Sequence, residues 1–175
     1  CNSTRRRAAY VPRMHRVPGG AAQGALDLLG DGGDEDSGKL LDGQIALKKA
    51  IAALKPMLED PAVLKVGQNI KYDMAVFQRY GVEIGPVDDT MLISFVLDAG
   101  KNNHGMDELA ELHLGQKTIK FSDVAGSGAK QVSFDHVPLD KARDYAAEDA
   151  DVPMQLWAHL KPRLAPEHMT TLYET

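Results

Sequence analysis

Two short runs concentrate groups able to handle a proton or, as hard oxygen donors, a divalent cation: Gly67-Gln68-Asn69-Ile70-Lys71-Tyr72-Asp73 and Tyr145-Ala146-Ala147-Glu148-Asp149-Ala150-Asp151. Each packs polar and ionisable side chains into an otherwise apolar element. Tyr145 and Asp149 are four apart, so on a helix they share a face and can converge on one point. Spacing alone also allows a plainer reading, in which Asp73 caps or salt-bridges a surface helix and Glu148, Asp149 and Asp151 form a solvated face.

The elements that must position these groups can be read from periodicity. Apolar residues recur at Ile45, Leu47, Ile51, Leu54 and Leu58, predicting a helix over about 45 to 58 whose end Pro56 bends or shortens. Ala62-Val63-Leu64-Lys65-Val66 is a short strand signal ending at Gly67, followed by a helical pattern through Tyr72, Val76 and Tyr80. A second strand and turn are expected within residues 82 to 90, then an apolar helix from Met91 to Leu97. Met106 to Leu114 forms a further amphipathic stretch closed by Gly115, a residue suited to the position just past a helix end. Residues 140 to 160 place Ala142, Tyr145, Ala146, Asp149, Val152, Leu156 and Leu160 near one stripe of a long helix that Pro153 is expected to disturb. This alternation predicts an α/β layered domain with helices on a sheet.

Composition narrows the function classes. The 175-residue chain carries a formal net charge of −5, against the clustered Lys and Arg of a protein that coats nucleic acid through phosphate contacts. A nuclease stays possible, because metals bound by carboxylates reverse the local sign. The lone Cys1 supports neither an intrachain disulfide nor a cysteine metal site. No apolar run is long enough to span a membrane and no signal-peptide pattern follows Arg5-Arg6-Arg7, so a cytoplasmic protein without a membrane partner is expected. No Gly-rich phosphate loop of Walker or Rossmann type is present.

The order and wording of the chain from about 55 to 160 resemble the 3′–5′ exonuclease (proofreading) domain of bacterial family-A DNA polymerases. Leu64-Lys65-Val66-Gly67-Gln68-Asn69-Ile70-Lys71-Tyr72-Asp73 is similar to that family's second exonuclease motif, and Tyr145-Ala146-Ala147-Glu148-Asp149-Ala150-Asp151-Val152 to its third, in the tyrosine-containing form. Asp89-Thr90-Met91-Leu92, Met106-Asp107-Glu108-Leu109-Ala110-Glu111 and Lys117-Thr118-Ile119 lie between them in the family's order. The resemblance implies a ribonuclease-H-like fold with a mixed sheet flanked by helices, and hydrolysis by two Mg²⁺ or Mn²⁺ ions. It implies that Asp73 holds the second ion, Asp149 ligates the first and Tyr145 orients the attacking water. Gln68, Asn69 and Tyr72 would lie against the 3′-terminal nucleotides, and Phe121 would pack on the single strand, stacking in place of positive charge. The implied partners are the 3′ end of single-stranded DNA and a polymerase module of the same chain.

One part of the pattern is missing. The family's first motif, an Asp-x-Glu on the opening strand, is absent, and Asp34-Glu35-Asp36 in a glycine-rich stretch resembles neither that motif nor a strand. Ala8-Ala9-Tyr10-Val11-Pro12 resembles the family's third strand. The expectation is therefore a domain cut at both ends and lacking its first two strands: residues 1–43 a remnant strand and flexible loop, 44–165 the exonuclease core, and 166–175 the start of a connection to a polymerase module. Alone, such a chain is expected to be inactive. A ribonuclease-D-like RNA exonuclease and a nuclease-dead module that holds DNA are the competing readings.

Overall fold

The computed structural model describes residue 8, residues 10–12, 15–16, 41–128 and 131–174. Among them the elements run α1 (Leu47–Leu58), β1 (Lys65–Gly67), α2 (Lys71–Gln78), β2 (Val87–Asp89), α3 (Thr90–Asp98), α4 (Met106–Leu114), α5 (Phe121–Ala125), α6 (Leu139–Leu160) and α7 (Thr170–Glu174). β1 and β2 pair in parallel, with Lys65 opposite Val87, Val66 opposite Asp88 and Gly67 opposite Asp89. The α/β alternation expected from residue 62 onward is present.

The core lies where the apolar stripe of α6 meets α3 and α4. Ile93, Leu97, Leu109, Ala110, Val152, Leu156, Leu160 and Leu164 form one buried cluster. On α3 and α6 these positions recur every four residues, so the apolar part of the stripe read for residues 140 to 160 is the buried face of α6. Leu156 is fully buried at its centre. Leu156→Ala removes a packed side chain and leaves a cavity, and is expected to cost about 2–5 kcal/mol in urea denaturation.

Charges finish the packing. Asp88, at 4% exposure, accepts from the indole of Trp157 at 2.6 Å, the ammonium of Lys161 at 3.0 Å and the hydroxyl of Tyr173 at 2.9 Å. Burial alone would raise its pKa, but these three donors outweigh it and hold the carboxyl below its ordinary value. The bonds fasten β2 to α6 and α7. At the other end of α3, Arg163 clamps Asp98 with two nitrogens at 3.0 and 3.3 Å, and with Lys101 lowers that carboxyl to about 2.

Two sequence expectations change. Ala8, Tyr10, Val11 and Pro12 carry no regular structure, and Ala9 is outside the described residues. The N-terminal segment instead docks by isolated bonds: the backbone N–H of Arg16 donates to the Asp135 carbonyl at 2.8 Å, and Gln44 bonds both backbone groups of His15. Pro12 has no N–H to donate to a ladder. The acidic, glycine-rich loop read at residues 30–36 is also outside the described residues. Pro153, expected to disturb the long helix, lies inside an unbroken α6 and is buried. Packing of Val152 and Leu156 on either side of that turn holds the helix where local propensity alone would break it.

Candidate active site

A cavity of about 530 Å³ opens where β1, the start of α2 and the middle of α6 meet, and Gln68, Asp73, Tyr145, Asp149 and Pro153 are among its lining residues. Asp73 and Asp149 are 76 residues apart by number, and the fold brings them to one space. Asp149 and Tyr145 reach it because they sit one helical turn apart on α6. Asp73 reaches it from the first turn of α2, where a carboxylate also favours the helix dipole.

The electrostatics of the two carboxylates differ. Burial raises Asp149 to about 6; the Tyr145 hydroxyl, hydrogen-bonded to it, pulls the other way, and the negative charges of Glu148 and Asp107 push it further up. Burial likewise raises Tyr145 to about 12, reinforced by its bond to Asp149 and by the same acidic neighbours. The phenol therefore stays protonated across the working pH range and donates to Asp149. Asp73 is also raised, by desolvation and then by the charge of Asp89. Its side chain is exposed at the cavity rim, so solvent screening leaves that shift little energetic weight.

The turn before Asp73 is built by a residue that the motifs carried without giving it a role. Asp89 is buried, caps α3 through the N–H groups of Met91 and Leu92, and accepts from the backbone of Asn69 at 2.9 Å and of Ile70 at 3.0 Å. One carboxylate thus fixes two elements. Asn69 adopts a positive φ of 56°, a conformation Asn tolerates better than most residues. Gly67 suits the close approach, since a Cβ there would sit 3.0 Å from the Ile70 side chain, which would have to give way. An Asp immediately before an apolar helix is an N-cap signal, and it is the local sign by which the sequence could have pointed to Asp89.

The residues expected to touch nucleotides are placed differently from one another. Gln68 acts as a brace: its amide nitrogen donates to the His104 carbonyl at 2.8 Å and its oxygen meets the Thr90 hydroxyl. Asn69 contributes its backbone to the Asp89 bond and does not line the cavity. Tyr72 is 67% exposed on the outer side of α2, with the Lys71 ammonium 5.7 Å from its ring centre. Phe121 also lies outside the lining, but its ring meets Tyr145 edge-on at 6.2 Å and stacks on Phe134 at 6.2 Å. Phe134 touches Tyr145 as well, at 5.9 Å, so two aromatic rings fix the phenol. Phe134 carried no chemical signal in the sequence.

Glu148 is not part of a solvated face. It turns toward residues 116–120, accepting from the Ile119 N–H at 2.6 Å and from the Gln116 amide at 3.3 Å. Among the described residues no three acidic, His or Cys side chains converge as a metal-holding group.

A family model described as 3′–5′ exonuclease matches residues 32–165. The chain belongs to the 3′–5′ exonuclease family. It is 52% identical over 171 residues to the DNA polymerase I of Rhizobium leguminosarum, a match covering 98% of this chain and 16% of that protein. It is 43% identical over 160 residues to the DNA polymerase I of Pseudomonas aeruginosa, covering 90% of this chain and 15% of that one. The chain thus spans about one sixth of the length of these relatives. Among solved structures, Brucella melitensis NrnC bound to pGG superposes with a TM-score of 0.58 at 23% identity, covering 75% of this chain and 59% of that one. A form of NrnC with bound Mg²⁺ gives 0.55 at 23% identity, covering 69% of this chain and 56% of that one. At this identity the likeness shows a shared fold, in keeping with the ribonuclease-H-like architecture expected from the motifs.

Proposed function

We propose that this exonuclease domain hydrolyses nucleotides from the 3′ end of DNA with the help of divalent ions, as the proofreading part of a DNA polymerase I in the cytoplasm. The observation that carries this reading is the convergence of Asp73, Tyr145 and Asp149 on one cavity. Asp73 and Asp149 are the hard oxygen donors that Mg²⁺ or Mn²⁺ prefers. Two carboxylates fit the holding of one ion and fall short of the pair, whose remaining ligands the absent Asp-x-Glu would have to supply. A bound divalent ion supplies Lewis-acid polarisation of the phosphate and a more acidic water.

The rest of the chemistry belongs to side chains of this chain. Tyr145 keeps its proton on the phenolic oxygen and lends it to Asp149, so the hydroxyl is aimed rather than reactive. A water resting between phenol and carboxylate would be oriented by both. Phe121 and Phe134 hold the phenol against rotation. Asp89 and Gln68 hold the turn that presents Asp73, and Tyr72 and Phe121 offer exposed rings on which unpaired bases stack, which suits an acidic protein.

The test is degradation of a 5′-labelled single-stranded DNA in Mg²⁺ or Mn²⁺ by this chain and by a form extended at its N-terminus through the Asp-x-Glu strand of the family. Activity confined to the extended form, and lost in Asp73→Ala, supports the proposal. Degradation unaffected by Asp73→Ala and Asp149→Ala rejects the assignment of the site. Inactivity of both forms with retained DNA binding favours a module that only holds DNA.

A further inference from the structure

Residues 116–120 have no regular structure, yet carboxylates from two helices tie them down. The Thr118 hydroxyl donates to Asp107 of α4 at 2.7 Å. Glu148 of α6 uses both oxygens, one for the Ile119 N–H at 2.6 Å and one for the Gln116 amide at 3.3 Å. Phe121 begins α5 two residues after Ile119, and its ring packs back on Tyr145. A closed circuit results. Tyr145, Glu148 and Asp149 sit within one stretch of α6, and Glu148 holds the segment whose aromatic braces Tyr145.

Physical economy argues against Glu148 as an idle surface charge. An acceptor that receives a backbone N–H at 2.6 Å makes a charge-assisted bond, stronger than a neutral one. The ionised side chain also adds negative charge beside a site proposed to receive a polyanion, and it raises both Asp149 and Tyr145. On charge alone, its removal would help DNA bind.

We propose that Glu148 is a positioning residue, a latch that holds residues 116–120 and Phe121 at the rim of the cavity and thereby sets the grip on single-stranded DNA. This rests on the exonuclease reading above and names what secures the strand within it. Lys117 and Lys120, both exposed on the latched segment, face solvent where a phosphate chain could run. Fixing their backbone presents them without an ordering cost at binding.

The test compares Glu148→Ala and Glu148→Gln for binding of a fluorescein-labelled oligothymidylate in Ca²⁺, on both the chain and its N-terminally extended form, alongside hydrogen exchange at the Ile119 amide. Glu148→Ala is expected to release the Ile119 amide and weaken binding about tenfold, the reverse of the charge effect. Glu148→Gln keeps an oxygen for that amide and is expected to retain most of the affinity. Should Glu148→Ala fail to fold, Thr118→Val cuts the neighbouring solvent-exposed bond to Asp107 and is expected to weaken binding in the same direction. Binding by both Glu148 variants at or above the unsubstituted level overturns the latch while leaving the exonuclease reading intact. Absence of oligonucleotide binding by the unsubstituted protein in both forms overturns the two together.

Discussion

Asp149→Asn is expected to cut any hydrolysis by the N-terminally extended form sharply and at the same time, in either form, to make the fold more stable at neutral pH. Asn keeps an oxygen for the Tyr145 hydroxyl but carries no negative charge, so its hold on a divalent ion is poor. The expected fall in rate is on the order of a hundredfold or more, given what even indirect ligand support is worth at metal sites. The stability gain follows from linkage. Asp149 titrates near 3.8 in the unfolded chain and at about 6 in the fold, so between those values the native state binds more protons and stability falls as pH rises. Above about pH 6 the penalty is fully present; below the unfolded value it vanishes. The gap sets a ceiling near 3 kcal/mol, which partial solvent access reduces to about 1–2 kcal/mol. Urea denaturation at pH 7.5 and at pH 3.5 checks this: the Asn variant should gain at the first and not at the second. An equal gain at both would trace it to packing, not charge.

The largest loss of stability from a polar substitution is expected at Asp89. Asp89→Ala leaves the N–H groups of Asn69 and Ile70 without their acceptor and uncaps α3, at a combined cost of about 3–5 kcal/mol. Relief from burying a carboxylate does not offset this, because in the native fold its oxygens are already compensated by four backbone donors. Asp89→Asn should recover only part of the loss, since its amide nitrogen faces donors. The same substitution frees the turn before Asp73, so any activity should fall further than stability alone explains. Chemical denaturation, with activity measured far below the unfolding midpoint, separates the two effects.

These two carboxylates mark how far the sequence could be read. Asp149 was legible because its spacing from Tyr145 is local, and a 3.6-residue period converts four positions into one helix face. Asp73, Tyr145 and Asp149 were joined in advance only by a resemblance, since no local rule brings α2 to α6. Asp89 and Glu148 act through bonds to backbone groups 19 to 29 residues away, and a pattern of side-chain types holds no record of which distant N–H each will meet. Phe134 is a similar case, because its importance is a packing relation to Phe121 and Tyr145. Helix limits were nearly right for α4 and α6, where a long apolar stripe dominates. The expected break at Pro153 failed, because tertiary packing overrode a strong local breaker, and the expected strand carries no regular structure at its described residues Ala8, Tyr10, Val11 and Pro12. Gln68 shows the converse: besides lining the cavity, its side chain braces the fold, a second role that its residue type did not announce.

The tie between Asp88 and Trp157 has a practical side. Trp157 is the single tryptophan of the chain, and its indole N–H donates to a buried carboxylate one residue before Asp89. Tyr173 of α7 and Lys161 share that carboxylate. Intrinsic fluorescence is therefore a site-specific optical probe of the junction between sheet, long helix and final helix. A red shift without loss of helical circular dichroism would register α7 letting go while the rest of the domain stays folded.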